Sequence, residues 1–315
     1  MVLGRYSTPK EKSEHFLDYS VVNTKEEFDN LCAKLNKYER TTTVKYLFRG
    51  LNNASYKNYS SAQRLWIERD LHSVGITYRK YLSNLLIEAK KIDSILYSYF
   101  ERLGIVRNDW LILSFLQHYG APTPLIDFTK RYSVALYFAL DDATLYGDEN
   151  LNNYVSIYYF KAVDVARDIA PSIYKMASVL AEKVENWDEG LKIWKELSYP
   201  KVIDKHRLVL VPAYSHQSNI KNNDNKRVTI YTVANLNSSA QDGEFICTDS
   251  PDIPLEDMMV KDGLRYLSCI DIHKGLKEYI LQNVLKFGSM DEAKKRYYPN
   301  QEDIASDIVF KALSR

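Results

Sequence analysis

The sequence predicts an α+β fold: a mainly antiparallel sheet with helices packed over it and at its ends. Three observations carry that expectation. Segments of strand length, alternating or continuously apolar and bounded by turn residues, recur near 43–49, 124–128, 154–160, 207–212, 227–234, 243–248 and 264–271. Amphipathic runs with their own capping signals lie between them. With 315 residues, 45% of them hydrophobic, there is ample chain for a real core. The chain reads as one domain over 1–315, with a helical insertion or lid at 161–200.

Residues 24–38 form the first amphipathic helix, because Thr24 and Glu27 make a capping box and Phe28, Leu31, Cys32 and Leu35 fall at helical spacing. From Thr42 to Gly50 the pattern alternates as a strand, with Val44, Tyr46 and Phe48 on one face and Lys45, Leu47 and Arg49 on the other. A polar loop from Asn52 to Ser61 leads to a helix started near Arg64. Thr77 to Leu103 is a long helix carrying Tyr78, Leu82, Leu85, Ala89 and Ile92, stopped by Gly104. Asn108 or Asp109 caps the next helix, which carries Leu111, Leu113, Phe115 and Leu116 and ends at Gly120. Pro122 and Pro124 then hold the backbone extended into a buried strand, Leu125 to Phe128, before a helix over Ser133 to Leu140. Tyr154 to Phe160 alternates as a strand, Ser172 to Leu197 is helical, and Leu208 to Val211 is a buried strand. Asn219 to Lys226 is a polar turn before a strand from Arg227 to Ala234. A strand from Arg265 to Ile272 and two closing helices end the chain, the last with a capping box at Ser289 and Glu292.

Composition removes several function classes. Forty-two basic against 41 acidic residues leave a net charge of +1, so no general nucleic-acid or anionic-membrane signal is present. Cys32, Cys247 and Cys269 are odd in number, far apart and without ligand spacing, which suits buried thiols in a reducing cytoplasm. No signal-peptide core opens the chain, and no apolar run nears the roughly 18 residues of a membrane span. The expected location is therefore cytoplasmic. No phosphate-cradling glycine loop, dinucleotide fingerprint, serine-nucleophile elbow or metal-ligand spacing occurs, and no metal is expected.

The candidate site residues cluster in three stretches. Arg49 stands at the C-terminal end of its strand beside Gly50, whose missing side chain permits close approach of a ligand or another backbone. Arg49 and Arg64 together suit a phosphate or carboxylate, since guanidinium forks match such anions; each also suits a plain ion pair. Gln117, His118, Thr123, Asp127 and Thr129 crowd the turn between two buried helices. His118 reads as a general base or a ligand contact, or as a satisfied structural group. Asp127 inside an apolar strand needs a partner, and an orienting or capping role fits it best. Thr129 is placed to cap the following helix, while Gln117 and Thr123 offer neutral hydrogen bonding. In the third stretch Gln241, Gly243 and Glu244 combine an amide, a bulge or close-approach glycine and an acid; Asp242 reads as a turn residue.

These stretches resemble the FRG domain, a family named for a tripeptide that stands here as Phe48-Arg49-Gly50. The run from Gln117 to Ala139 resembles its central motif, Tyr56, Ser61 and Arg64 match a further element, and Gln241, Gly243 and Phe245 match its Gln-x-Gly-x-Phe element. Tyr297 to Ala305 resembles its C-terminal signature. Ser60 stands where proline is usual, Leu51 where glutamine is usual, and Asn235 and Asn237 where an arginine is usual. The resemblance implies one FRG-type domain spanning most of the chain. At pattern level the same strands and helix also resemble ADP-ribosyltransferases, which implies NAD as substrate. On that likeness Arg49 grips the pyrophosphate or ribose, Thr129 and nearby aromatics line the nicotinamide pocket, and Glu244 or Gln241 takes the late position. Three readings stay open: NAD-dependent ADP-ribosyl transfer or cleavage, a non-catalytic module for a small nucleotide-like ligand, and a protein-interaction module of a bacterial defence or toxin system.

Overall fold

The computed structural model describes residues 2–41, 45–91, 100, 108–147, 150–181, 193, 195–212, 218–221, 227–230 and 240–298. The strands are β1 (Tyr19–Val22), β2 (Tyr46–Leu51), β3 (Leu125–Thr129), β4 (Tyr154–Lys161), β5 (Leu208–Pro212), β6 (Ser218–Lys221), β7 (Arg227–Ile230), β8 (Gly243–Thr248), β9 (Val260–Lys261), β10 (Leu264–Arg265) and β11 (Ser268–His273). The helices are α1 (Pro9–Ser13), α2 (Lys25–Arg40), α3 (Ser61–Glu68), α4 (Tyr78–Lys91), α5 (Asp109–His118), α6 (Tyr132–Leu140), α7 (Ala162–Asp168), α8 (Ile173–Ala181), α9 (Tyr199–Ile203), α10 (Leu255–Met258), α11 (Lys277–Ile280) and α12 (Met290–Tyr297). Seven strands join in the order β1-β11-β4-β2-β3-β8-β5. Only the β1–β11 pair is parallel; every other neighbour in that sheet is antiparallel. This is the α+β architecture expected from the sequence.

Strand alternation sorts the core onto two faces. On one face α2 and α6 bury Phe28, Leu35, Val134 and Leu136 against Phe48, Ile157 and Ile270. Beside them, on the same face, α4, α5 and α8 bury Leu82, Leu111, Ile112 and Ile173 against Leu125, Val209 and Cys247. The opposite face packs Leu47, Phe128, Tyr158 and Ile246 with Tyr6 and Phe16 from the N-terminal segment. That segment is pinned by Lys12, fully buried, whose Nζ donates to Asp271 Oδ1 (2.6 Å), Ser156 Oγ (2.7 Å) and the Ala54 carbonyl (2.8 Å).

Local signals were faithful guides. Thr24 and Glu27 form the capping box on α2. Asn108 caps α5, and Gly120, at φ 80°, ends it with the Ala121 amide bonded to the Leu116 carbonyl. At Ser289 the arrangement is shifted: Ser289 Oγ accepts from the Glu292 amide, while Glu292 Oε2 accepts from Gly288 rather than from Ser289.

Other expectations are corrected. The segment near 264–271 is not one strand: β10 pairs only with β9, and β11 starts three residues later. Strand β7 pairs with β6 in a separate hairpin, so 218–221 is strand rather than turn. Strand β1, only four residues long, was not expected. Of the long helix over 77–103, Tyr78–Lys91 is described; most of the remainder lies outside the described residues, as do 182–192 of the proposed insertion and 299–305 of the C-terminal signature. Within 161–200, Ile173, Ala177, Ile193 and Leu197 are buried in the core shared with α4 and α5. Among the described residues no helix is long and apolar enough to cross a membrane.

Candidate functional site

A cleft of about 410 Å³ opens on the helical face, between α5 and α6. Its floor is set by register. Phe48 opposes Thr129, Thr129 opposes Gly243 and Asp127 opposes Phe245, so these residues share one face, and all of them line the hollow. Ser114, Gln117 and His118 come from one stripe of α5, at i, i+3 and i+4, while Ala135 and Phe138 come from α6. The cleft exists because β2 and β3 part. They share a single opposed pair, whereas β2 pairs with β4 over six residues.

Arg49 fills that parting. Its Nη1 donates to the Asp127 carbonyl at 2.8 Å and its Nε to Asn58 Oδ1 at 3.2 Å, replacing the ladder that the strands have abandoned. Burial pulls the guanidinium below its ordinary pKa, the Asp127 carboxylate pulls it back up, and Arg64 lowers it again. An arginine nonetheless keeps its proton in a protein. Behind Asn58 stands the buried Glu256, which accepts from the Asn58 amide (3.2 Å) and from Tyr6 Oη (2.6 Å). Burial raises the pKa of that carboxyl, and Tyr6 is the first of the contacts that hold it down.

Gly50 serves the fold. A Cβ there would sit 1.9 Å from the Ala135 carbonyl oxygen and 2.7 Å from the Ala139 nitrogen. Of the two approaches open in the sequence, another backbone is the one realised.

Asp127 is exposed and is held by Gln117, whose Nε2 donates to Asp127 Oδ2 at 2.8 Å. Gln117 is itself oriented by Thr123, whose Oγ1 donates to Gln117 Oε1 at 2.5 Å. Thr123 is fully buried and does not line the cleft; it sets the angle of the glutamine. His118 lines the hollow and packs edge-on to Tyr119, and its burial lowers the imidazole pKa.

The third stretch arrives from β8. Gln241 lines the cleft, but its Nε2 donates to the Tyr297 carbonyl at 2.9 Å, which holds the end of α12 against the site. Thr129 Oγ1 donates to the Gln241 carbonyl at 2.5 Å and accepts from the Arg131 amide at 3.1 Å. Thr129 therefore joins two strands' ends, while the residue preceding α6 is Arg131, with no side-chain cap. Asp242, at φ 49°, is the turn residue expected.

Two expected contacts are displaced. Glu244 sits between Gly243 and Phe245 and so faces the opposite side of the sheet, where it pairs with Lys130 at 3.5 Å. Arg64 is exposed, bonds the Tyr59 carbonyl at 3.0 Å and does not line the cleft. Conversely, Ser114, Phe138 and Tyr298 line it without having been singled out. Ser114 was detectable, one helical turn before Gln117 and His118. Phe138 and Tyr298 meet edge to face at 5.8 Å, and burial with the Asp127 and Asp141 charges pushes the Tyr298 hydroxyl up to about 12.

With Arg49, Gly50 and the α5–β3–α6 corner assembled, comparison with known proteins has a frame. Residues 44–146 match the family model of the FRG domain. The match spans about a third of the chain. No curated protein and no solved structure matches the chain. The matched span supplies Arg49, Gln117, His118 and Asp127, whereas Gln241, Gly243 and Tyr298 come from beyond it. Among the described residues no group of three His, Cys, Asp or Glu side chains is placed to hold a metal ion.

Proposed function

We propose that the cleft binds NAD and breaks its nicotinamide–ribose bond, passing the ADP-ribosyl group to water or to another acceptor. The observation that carries this reading is the pairing of one cation, Arg49, and one carboxylate, Asp127, on a single hollow with an aromatic wall. A simple anion suits Arg49 and is repelled by Asp127. A molecule bearing both signs suits both, and NAD carries a cationic nicotinamide ring and an anionic diphosphate.

In the step itself the bond between ribose C1′ and the nicotinamide nitrogen breaks, and its electron pair leaves with neutral nicotinamide. Positive charge develops on the ribose, and the carboxylate of Asp127 stabilises it. The acceptor oxygen or nitrogen then bonds to C1′ and gives its proton to His118, whose lowered pKa leaves the imidazole neutral at pH 7. Arg49 holds the diphosphate. Gln117 and Thr123 keep Asp127 in place, and Gln241 keeps Tyr298 in place. The unpaired Cys32, Cys247 and Cys269 suit a reducing, cytoplasmic setting, and the reading sets the reaction in a bacterial defence or toxin system.

Incubation with NAD, with nicotinamide followed by chromatography, tests the reading; release above the rate in buffer is expected. The rate should be flat near neutrality and fall as pH drops through the lowered His118 pKa, below the ordinary value of 6.5. His118→Gln should remove that acidic limb and cost about 100-fold in rate. Stability changes in the same direction: the unfolded chain takes up the proton first, so stability declines as pH falls below about 6.5. Saturable NAD binding with no nicotinamide release would favour the second reading, a non-catalytic sensor. The observation on its side is that Arg49 and Asp127 are already fixed by Asn58 and Gln117.

A further inference from the structure

The described cleft has an inner and an outer end. Asp127 and Tyr298 are exposed and His118 is half-buried, whereas Phe48, Phe128, Ala135 and Phe245 are buried. Among these apolar groups lies Ser114, only 3% exposed, whose hydroxyl has no partner among the described residues. A serine inside a helix either points to solvent or bonds back to the carbonyl one turn earlier, and Ser114 does neither. Thr129, the other hydroxyl at this end, is fully engaged by the Gln241 carbonyl and the Arg131 amide. A buried hydroxyl stripped of water and left without a protein partner is costly, and a ligand atom is the partner that relieves it.

We infer that Ser114 is a ligand-contacting residue: the inner end of the cleft receives a flat ring bearing a neutral hydrogen-bonding group, and the Ser114 hydroxyl reads that group. The inference rests on the cleft being the NAD site proposed above. Both ends of a dinucleotide offer such a ring, one an adenine and the other a nicotinamide carboxamide. Direction of entry thus becomes a question of which ring Ser114 holds, with the charged middle left to Arg49.

The test uses adenosine and nicotinamide as separate probes, titrated into the full chain and into Ser114→Ala and Ser114→Val. At least one probe should bind the unaltered protein, and the bound one names the ring. Ser114→Ala should weaken it about fivefold to tenfold, the contribution of one neutral hydrogen bond. Ser114→Val, which adds bulk, should weaken it further. Ser114→Ala should melt no lower than the unaltered protein, because it removes an unpaired polar atom, and this shows that the variant is folded. Equal affinity in Ser114→Ala, or binding of neither probe, overturns the inference. NAD cleavage with Ser114→Ala unaffected would defeat only the Ser114 assignment. A Ser114-dependent probe without NAD cleavage would defeat only the reaction.

Discussion

Gly50→Ala should melt well below the unaltered protein. The added methyl group would lie 1.9 Å from the Ala135 carbonyl oxygen, 2.7 Å from the Ala139 nitrogen and 2.9 Å from the Ala139 Cβ. Two of those atoms belong to helical backbone, so no side-chain rotation relieves the clash. Helix α6 would have to lift from β2, opening the core that joins Phe48, Val134, Leu136 and Ile157. Overpacking of this kind costs on the order of 3 kcal/mol or more, equivalent to a fall in Tm of roughly 4 °C or more in a chain of this size. Gly120→Ala is the control. Gly120 has φ 80° and nothing within 4 Å of its notional Cβ, so only left-handed strain of about 1–2 kcal/mol is expected. Thermal melts followed by circular dichroism should rank Gly50→Ala well below Gly120→Ala. The reverse order would mean that α6 does not rest on Gly50.

Asp127→Asn should reduce nicotinamide release by about 100-fold to 1,000-fold with the fold intact, the usual size of a lost electrostatic contact to developing charge. Asparagine is the same size, can still accept from Gln117 Nε2, and replaces an exposed side chain. Glu244→Gln is the internal comparison. Its carboxylate pairs with Lys130 on the far side of the sheet, so the rate should change less than about twofold, as befits a partly exposed ion pair. Rates at saturating NAD decide the matter. A large loss in Glu244→Gln beside an unaffected Asp127→Asn would return the acid to β8.

What the sequence disclosed, and what it hid, divides along physical lines. Capping signals and helix stops depend on residues a few positions apart, so Thr24, Asn108 and Gly120 were legible. The alternation of β2 correctly set Phe48 and Arg49 on different faces. The same two-residue period, applied to β8, separates Glu244 from Gly243 and Phe245, so its place on the far face is legible in the pattern although its acidity suits the cleft. Side-chain type showed that Gln117 and Gln241 were polar groups near a site. It did not show that their amides are spent on Asp127 and on the Tyr297 carbonyl, which lie 10 and 56 residues away. The parting of β2 from β3, and hence the position of Arg49, is a property of strand order, and no local pattern carries it.

The most direct measurement is a calorimetric titration of NAD into the full chain and into Arg49→Met, with folding of the variant checked by its melt. Losing a charge-assisted hydrogen bond costs about 1.5–3 kcal/mol, or roughly 10-fold to 100-fold in Kd. Saturable binding that weakens by that factor in a folded Arg49→Met is the expected result. No heat from the unaltered protein, or equal affinity in the two, would contradict a dinucleotide site at the parting of β2 and β3.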